Sequence, residues 1–451
     1  MLQHFEVYKL HGIENNNVSI RFNSDLTLLV GKNGAGKTTT LNILNILLSK
    51  QFENLFKYKF KRMVLTTAEG ILTIKQNENY LDLQWNPTNK KIRSSELKVY
   101  RRTYSYGYGG KQEVSFEYDG HLDGFAESIE TMYFPTYRRL ETDIFNLLSN
   151  SISNSSEDSS NYSRRTVDEV LNSLSNFSHE TNNNIVLGVS NKEISSMIKK
   201  KWEAVIKFEK ENLNSLVRNF MLSLLKTPSP KEALSLGDLH NTFNADEVKE
   251  KLKQFFTMIG YIDKNNLSAV ELINEHVHRV EKALGIDVDD SDIQVLLNEE
   301  SMDALVSHDL IHRLLGMFEE SHQVITEQKK PFRELVKDLK EFIDADITFN
   351  EGEGVLYFSK NKNDLNSEDL SAGEKQLVTL FVYTKLCNRE KTILLIDEPE
   401  LSLHISWQRK FLKHIMNNNN NVQFIISSHS PFIVSNYKDK VEALAPMGVE
   451  E

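Results

Sequence analysis

The sequence predicts an α/β fold. A parallel-sheet unit opens near the N-terminus, is interrupted by an antiparallel β segment and a large helical insertion, and closes near the C-terminus. Three observations carry this. The apolar run at 26–30 reads as a strand covered on both faces, and a glycine-rich loop and a helical stretch at 38–48 follow it. A second apolar run, 392–396, leads into the adjacent acids Asp397 and Glu398. Between these two runs, residues 164–345 have the pattern of amphipathic helices.

In chain order, 18–22 alternates as a half-buried strand does. Residues 64–118 hold several alternating segments separated by Asn, Gly and Pro, which predicts an antiparallel meander attached to the first unit. A short strand at 131–134 precedes Pro135-Thr-Tyr-Arg-Arg-Leu-Glu141. Residues 150–163 are nearly all Ser, Asn and acid, too polar to order themselves, and predict a flexible link. Helices are expected at 164–177, 192–225, 245–259, 267–284, 302–328 and 331–343, with a break at Pro228 and Pro230 and another at Pro331. Met302, Leu305, Leu310, Leu314, Met317 and Phe318 are expected to stripe one face of the long helix at 302–328. Strands return at 346–349 and 355–358, followed by helix 371–386, strand 392–396, helix 403–416 and strand 422–427. The expected domains are therefore 1–149, 150–345 and 346–451.

The chain has 451 residues, 39% hydrophobic and 26% charged, enough for more than one core. Its net charge of −11 argues against coating nucleic acid over most of the surface. A single cysteine, Cys387, excludes a disulfide framework and a cysteine-based zinc site. No run approaches the ~18 apolar residues of a membrane span, and the N-terminus lacks a signal-peptide core. The expectation is a cytoplasmic protein without a membrane partner.

Gly31-Lys-Asn-Gly-Ala-Gly-Lys37-Thr38 fits G-x-x-x-x-G-K-[ST], with a strand before it and a helix after it. Loop amides at Asn33, Gly34, Ala35, Gly36, Lys37, Thr38 and Thr39 suit the phosphates of ATP. Lys37 reaches the outer phosphates, and the Thr38 hydroxyl is a ligand for Mg²⁺. Asp397, at the end of the second apolar strand, is the other metal residue, and Glu398 beside it is the candidate catalytic carboxylate. Leu370-Ser-Ala-Gly-Glu-Lys-Gln376 opens a helix in which Ser371 and Glu374 form a capping box. The same residues, with the Gly373 amide, form a candidate second phosphate site. Basic clusters at 57–62 and 199–202 are solvated faces or nucleic-acid contacts.

The order of P-loop, LSAGEKQ, LLIDEPE and Ser428-His429-Ser430-Pro431 resembles the ABC-type ATPase superfamily. This implies an ABC-type P-loop ATPase head in which Ser371, Gly373 and Glu374 meet the γ-phosphate held by a neighbouring copy. His429 matches the switch histidine at that phosphate. Roughly 330 residues separate Lys37 from Ser371, which fits a transporter ATPase poorly and resembles the SMC, RecF and OLD-type class. The segment 400–404 is similar to that class's stretch after the second acidic motif, and 402–404 lie where the family has its dimer-crossing loop. Pro135–Glu141 resembles a motif of the ATPase subunits of the Septu and PARIS anti-phage systems, and the resemblance implies that it occupies the place of the family's Q-loop glutamine.

OLD-type proteins carry a nuclease after the ATPase. Here 22 residues follow His429. The resemblance thus implies an Mg²⁺-dependent ATPase without its own nuclease site, forming a dimer of heads or a larger oligomer such as a hexamer. It would control a separate nuclease effector of HNH or TOPRIM type and meet nucleic acid through that complex. The alternative is a RecF/SMC-like ATPase acting directly on DNA in repair.

Overall fold

The computed structural model describes residues 1–89, 91–106, 111–135, 191–224, 243–261, 268–284, 299–360, 363–365, 369–386, 391–417, 419 and 421–444. The expected linker at 150–163, the helix at 164–177, the prolines at 228 and 230, Cys387 and most of the Pro135–Glu141 motif lie outside them. Contacts divide the chain into a head, residues 1–199 with 334–451, and a helical unit, residues 200–333. The expected insertion, 150–345, is wider. Residues 334–345 belong to the head because Leu335, Leu339, Phe342 and Ile343 are buried there, with Phe342 packed 5.3 Å from the Phe381 ring.

In the head, β1 (Leu2–Tyr8), β2 (Val18–Arg21), β3 (Leu26–Val30) and helix α1 (Lys37–Leu48) come first. Then follow β4 (Arg62–Thr67), β5 (Gly70–Gln76), β6 (Tyr80–Pro87), β7 (Ser95–Tyr106), β8 (Lys111–Gly120) and β9 (Glu130–Phe134). The next helices are α2 (Asn191–Leu224), α3 (Ala245–Met258), α4 (Ser268–Leu284) and α5 (Glu299–Lys340). The C-terminal part of the head holds β10 (Asp346–Asn350), β11 (Val355–Lys360), β12 (Asn363–Leu365), α6 (Ala372–Leu386) and β13 (Thr392–Asp397). It ends with α7 (Ile405–Met416), β14 (Val422–Ser427), α8 (Pro431–Val434) and β15 (Val441–Ala443).

The chemistry is organised by a five-stranded sheet of order β15-β3-β14-β13-β9, whose pairings are all parallel. Every residue of β13 and β14 is buried, as expected of strands covered on both faces. The meander is larger than the sequence suggests. β1 and β2 join β4–β8 in one seven-stranded antiparallel sheet of order β2-β1-β4-β5-β6-β7-β8. Helix α1 is buried nearly all round and shares one continuous core with both sheets, including Phe5, Ile20, Trp85, Ile393 and Ile425. Gln423 of β14, fully buried, ties the sheets together. Its amide accepts from the Leu2 N–H and donates to the carbonyls of Leu2 and Asn23, each at 2.8 Å. A buried ion pair, Lys385 with Asp338 at 2.9 Å, joins the ends of α6 and α5, and His414 of α7 meets the same carboxylate at 2.9 Å.

The helical unit has several small cores, such as Leu216–Phe255–Phe318 and Leu252–Ile273–Leu315. Two expectations need correction. Pro331 does not end a helix: α5 runs unbroken through it. Proline removes one amide donor, a local loss, while Phe332, Leu335 and Leu339 are buried beyond it and hold the helix together. The buried stripe is also rotated from the one expected. Met302 and Leu310 are exposed, whereas Ala304, Leu305, His308, Leu315, Phe318 and Ile325 are buried. A histidine in the stripe and apolar residues outside it hid the phase.

His308 of α5 and His276 of α4 stack with ring centroids 6.0 Å apart, and Phe243 packs edge-on to His308 at 5.1 Å. Burial pushes His308 down from 6.5 to about 4; nearby His276 and His312 add to the fall and Asp309 opposes it. His276 is also lowered, by burial first and then by Arg279. The folded chain therefore binds fewer protons here than the unfolded chain does. This contribution to stability is complete above about pH 6.5 and is lost as pH falls toward 4. Thermal melting from pH 7.5 to 4 should show His308→Phe losing less stability on acidification than the wild type; parallel curves would contradict this.

Candidate active site

The site forms where four parallel strands end together. Leu29, Ser427 and Asp397 lie in one row across β3, β14 and β13, and Phe134 of β9 pairs with Ile396, one residue before Asp397. The chain leaving β3 is the glycine-rich loop, with Gly34 at φ 84 and Gly36 at φ 89. These left-handed conformations favour glycine, and the space a Cβ would enter at either position is open. Gly31 is needed for a different reason: a Cβ there would collide with the carbonyl oxygen of Leu444 beside β15. Asn33 and Gly34 are exposed, Ala35 is buried with its amide on the Lys32 carbonyl at 3.1 Å, and Thr39 is half-buried at the start of α1.

Lys37 points back under the loop. Its ammonium is buried and donates to the Gly31 carbonyl at 3.1 Å and to His429 Nε2. Burial lowers the Lys37 pKa, while Glu398, Asp397 and Glu400 pull it back up. Thr38 Oγ1 donates to Asp397 Oδ1 at 3.1 Å. That hydroxyl–carboxylate pair at the mouth of the loop fits a small divalent cation bound together with phosphate oxygens. The left-handed glycines, the open loop and the buried lysine likewise fit a nucleotide's phosphates.

Glu398 follows Asp397 and adopts φ 48, a left-handed backbone in a non-glycine residue. Its amide is held by the carbonyl and the hydroxyl of Ser427, both at 3.1 Å. Its carboxylate stands 3.4 Å from His429 Nε2. Burial raises the Glu398 pKa; Asp397 and Glu400 add to the rise, and His429 and Lys37 oppose it. Lys37, Thr38, Asp397, Glu398 and His429 thus stand together.

Ser371, Gly373 and Glu374 form a separate group at the start of α6. Ser371 N and Oγ both meet Glu374 Oε2 at 2.7 Å, and Glu374 N meets Ser371 Oγ at 3.3 Å, the capping box read from the sequence. Ser371 is exposed.

Two parts of the site were not foreseen. Ser427 Oγ donates to Asp397 Oδ1 while accepting from the Glu398 amide, so one hydroxyl orients both acids. Its signal was a small hydroxyl ending a strand otherwise rich in apolar residues. Glu400 takes donors from 428–430, described further below. In the basic clusters Lys57, Lys59, Lys61, Arg62, Lys199 and Lys200 are exposed, and the aromatic Phe60 and Trp202 are buried. Phe60 is buried between exposed Lys59 and Lys61, and buried Trp202 packs 5.0 Å from Phe332. Among the described residues no cluster of three His, Cys, Asp or Glu suits a metal ion. No described helix is long and apolar enough to cross a membrane.

Fold and site together define an ABC-type P-loop ATPase head with an antiparallel β subdomain and a large helical insertion. The chain belongs to the AAA ATPase domain family, whose model matches residues 12–434. It is 28% identical over 149 residues to a retron Vc95 probable ATPase of Vibrio cholerae serotype O1 biovar El Tor, covering 31% of this chain and 29% of that protein. It is 34% identical over 87 residues to a retron Ec83 probable ATPase of Escherichia coli, covering 17% and 16% respectively. The matched segments thus span less than a third of either relative's length. Similar solved structures include the Smc head domain with an extended coiled coil from Pyrococcus furiosus, at 14% identity, TM-score 0.32, and 96% and 91% coverage of this chain and that one. The Smc head domain with coiled coil and joint from Pyrococcus yayanosii has 16% identity, TM-score 0.34, and 96% and 93% coverage.

The raised Glu398 pKa gives a direct expectation. The acid limb of the pH–rate profile of phosphate release should lie above the ordinary carboxylate value of 4.5. Below it the carboxyl is protonated and cannot accept a proton; above it turnover is full. An acid limb at or below 4.5 would contradict the assignment.

Proposed function

We propose that this chain binds ATP with Mg²⁺ and hydrolyses it at a composite site between two head-to-tail copies, and that this cycle controls a separate nuclease effector of an anti-phage complex. The observation that carries the reading is the convergence of Lys37, Thr38, Asp397, Glu398 and His429 at the carboxyl edge of the parallel sheet. The retron ATPases among its relatives support a place in defence. Pairing with an HNH or TOPRIM partner, and growth of the dimer into a larger assembly, extend that reading.

Bound ATP and Mg²⁺ supply the transferable phosphoryl group and neutralise its charge. The residues of this chain do the rest. Amides at 33–39 and the Lys37 ammonium hold phosphate oxygens. Thr38 Oγ1 and Asp397 hold the cation. A carboxylate oxygen of Glu398 accepts the proton of the attacking water. His429 exchanges its contact with Lys37 for one with the outer phosphate. Ser371, Gly373 and Glu374 of the facing copy close the site.

Glu398→Gln keeps shape and loses basicity. It should retain ATP binding by calorimetry, slow labelled-phosphate release by about 10²–10⁴-fold, and accumulate a closed dimer on size exclusion. Wild-type release by this variant would remove Glu398 from the role.

A shared site predicts complementation. Ser371→Arg and Lys37→Ala chains should each be inactive alone, while their mixture regains part of the activity because one composite site stays intact. Full turnover by wild-type protein diluted to monomer would exclude the shared arrangement.

A further inference from the structure

Glu400 does nothing in the scheme above, yet three donors meet its carboxylate. Its Oε1 accepts from Ser428 Oγ at 2.9 Å, from Ser430 N at 3.0 Å, and from the amide of His429 itself. Its other oxygen, Oε2, is buried and makes no hydrogen bond among the described residues. The backbone carbonyl of Glu400 accepts from Gln408 Nε2 at 3.3 Å, and Gln408 Oε1 accepts from Ser430 Oγ at 2.6 Å. These bonds close a ring: Glu400 side chain to Ser430 amide, Ser430 hydroxyl to Gln408, Gln408 back to the Glu400 carbonyl. Ser430 Oγ also accepts from Phe432 N at 3.1 Å, which starts α8.

We propose that Glu400 is a positioning residue that fixes the backbone of His429, and so sets where the imidazole stands between Lys37 and Glu398. Three donors from successive residues meeting one oxygen leave 428–430 little freedom. A carboxylate is the acceptor suited to this, having several lone-pair sites on short, strong bonds. Glu400 is three residues after Asp397, the last residue of β13, and 428–430 directly follow the end of β14. The bracket therefore spans neighbouring strands and holds their exits at a fixed separation.

The proposal rests on His429 acting at the outer phosphate, and the experiment separates the two claims. Full-length Glu400→Ala, Glu400→Gln, His429→Ala and the Glu400→Ala/His429→Ala double variant are compared for kcat, KM and melting temperature. His429 accessibility is read without turnover, as its rate of modification by diethyl pyrocarbonate measured by peptide mass spectrometry. Glu400→Ala should lower kcat on the order of 10²-fold with little change in KM, because misplacing a group near the reacting atoms costs that much. It should also speed His429 modification several-fold. Glu400→Gln keeps an acceptor and should restore most of both. The double variant should be no slower than His429→Ala, since the pair acts as a unit. Should Glu400→Ala fail to fold, Gln408→Leu opens the same ring and should shift both readouts in the same direction. Additive losses, or an unchanged modification rate in folded Glu400→Ala or Gln408→Leu, would overturn the positioning role. Full turnover by His429→Ala would instead overturn the His429 reading, leaving the modification result to judge Glu400.

Discussion

Three carboxylates, Asp397, Glu398 and Glu400, crowd the exit of β13 and face one buried ammonium, Lys37. Like charges in a partly buried site repel, and one cation cannot compensate three anions. The remaining structure answers that constraint by giving each acid a different environment. Asp397 is bound by two hydroxyls, from Thr38 and Ser427. Glu400 is bound by two amides and a hydroxyl from 428–430. Glu398 alone is left with burial and its two acidic neighbours raising its pKa. The three acids thus stand in three different environments: one held by hydroxyls, one held by the 428–430 segment, and one beside the His429 imidazole.

The parallel sheet makes this arrangement possible. Because β3, β14 and β13 run in the same direction, their carboxyl ends deliver the phosphate loop, the His429 segment and the acids to a single edge. Ser427 occupies the middle of the row, in register with both Leu29 and Asp397. A longer side chain there would have nowhere to go in a fully buried strand, and an apolar one would leave Asp397 and the Glu398 amide short of a partner. The core behind the edge is equally committed. Helix α1 is packed nearly all round, so the loop that precedes it is held at both ends.

Much of this was legible in the sequence because the signals were local. The phosphate loop and the capping box at Ser371 are short patterns whose residues bond to near neighbours, and 392–398 shows its buried strand and two acids side by side. What escaped was non-local or out of phase. Glu400 reads as one more acid until its partners, 28 to 30 residues away, are known. Gln423 looks misplaced in an apolar strand, and only the approach of Leu2 supplies its partners. The phase of α5 was lost because His308 is buried while Met302 is exposed. Pro331 misled because an isolated proline is a fair stop signal until tertiary burial on both sides outweighs one missing hydrogen bond.

The backbone at Glu398 shows how the same economy reaches the reacting group. A non-glycine residue at φ 48 costs on the order of 1–3 kcal/mol and persists only where its surroundings over-determine it. They do so here: the Glu398 amide is shared between the carbonyl and the hydroxyl of Ser427, and Ser427 is itself anchored to Asp397. The left-handed turn breaks the strand at the acid, so that Glu398 leaves the sheet instead of continuing its alternation. It stands 3.4 Å from His429, whose own backbone is held by Glu400. The backbones of Glu398 and of the histidine beside it are each fixed by bonds to a residue outside the phosphate loop. Their main-chain positions are therefore set by the exits of β13 and β14 and not by the loop that precedes α1.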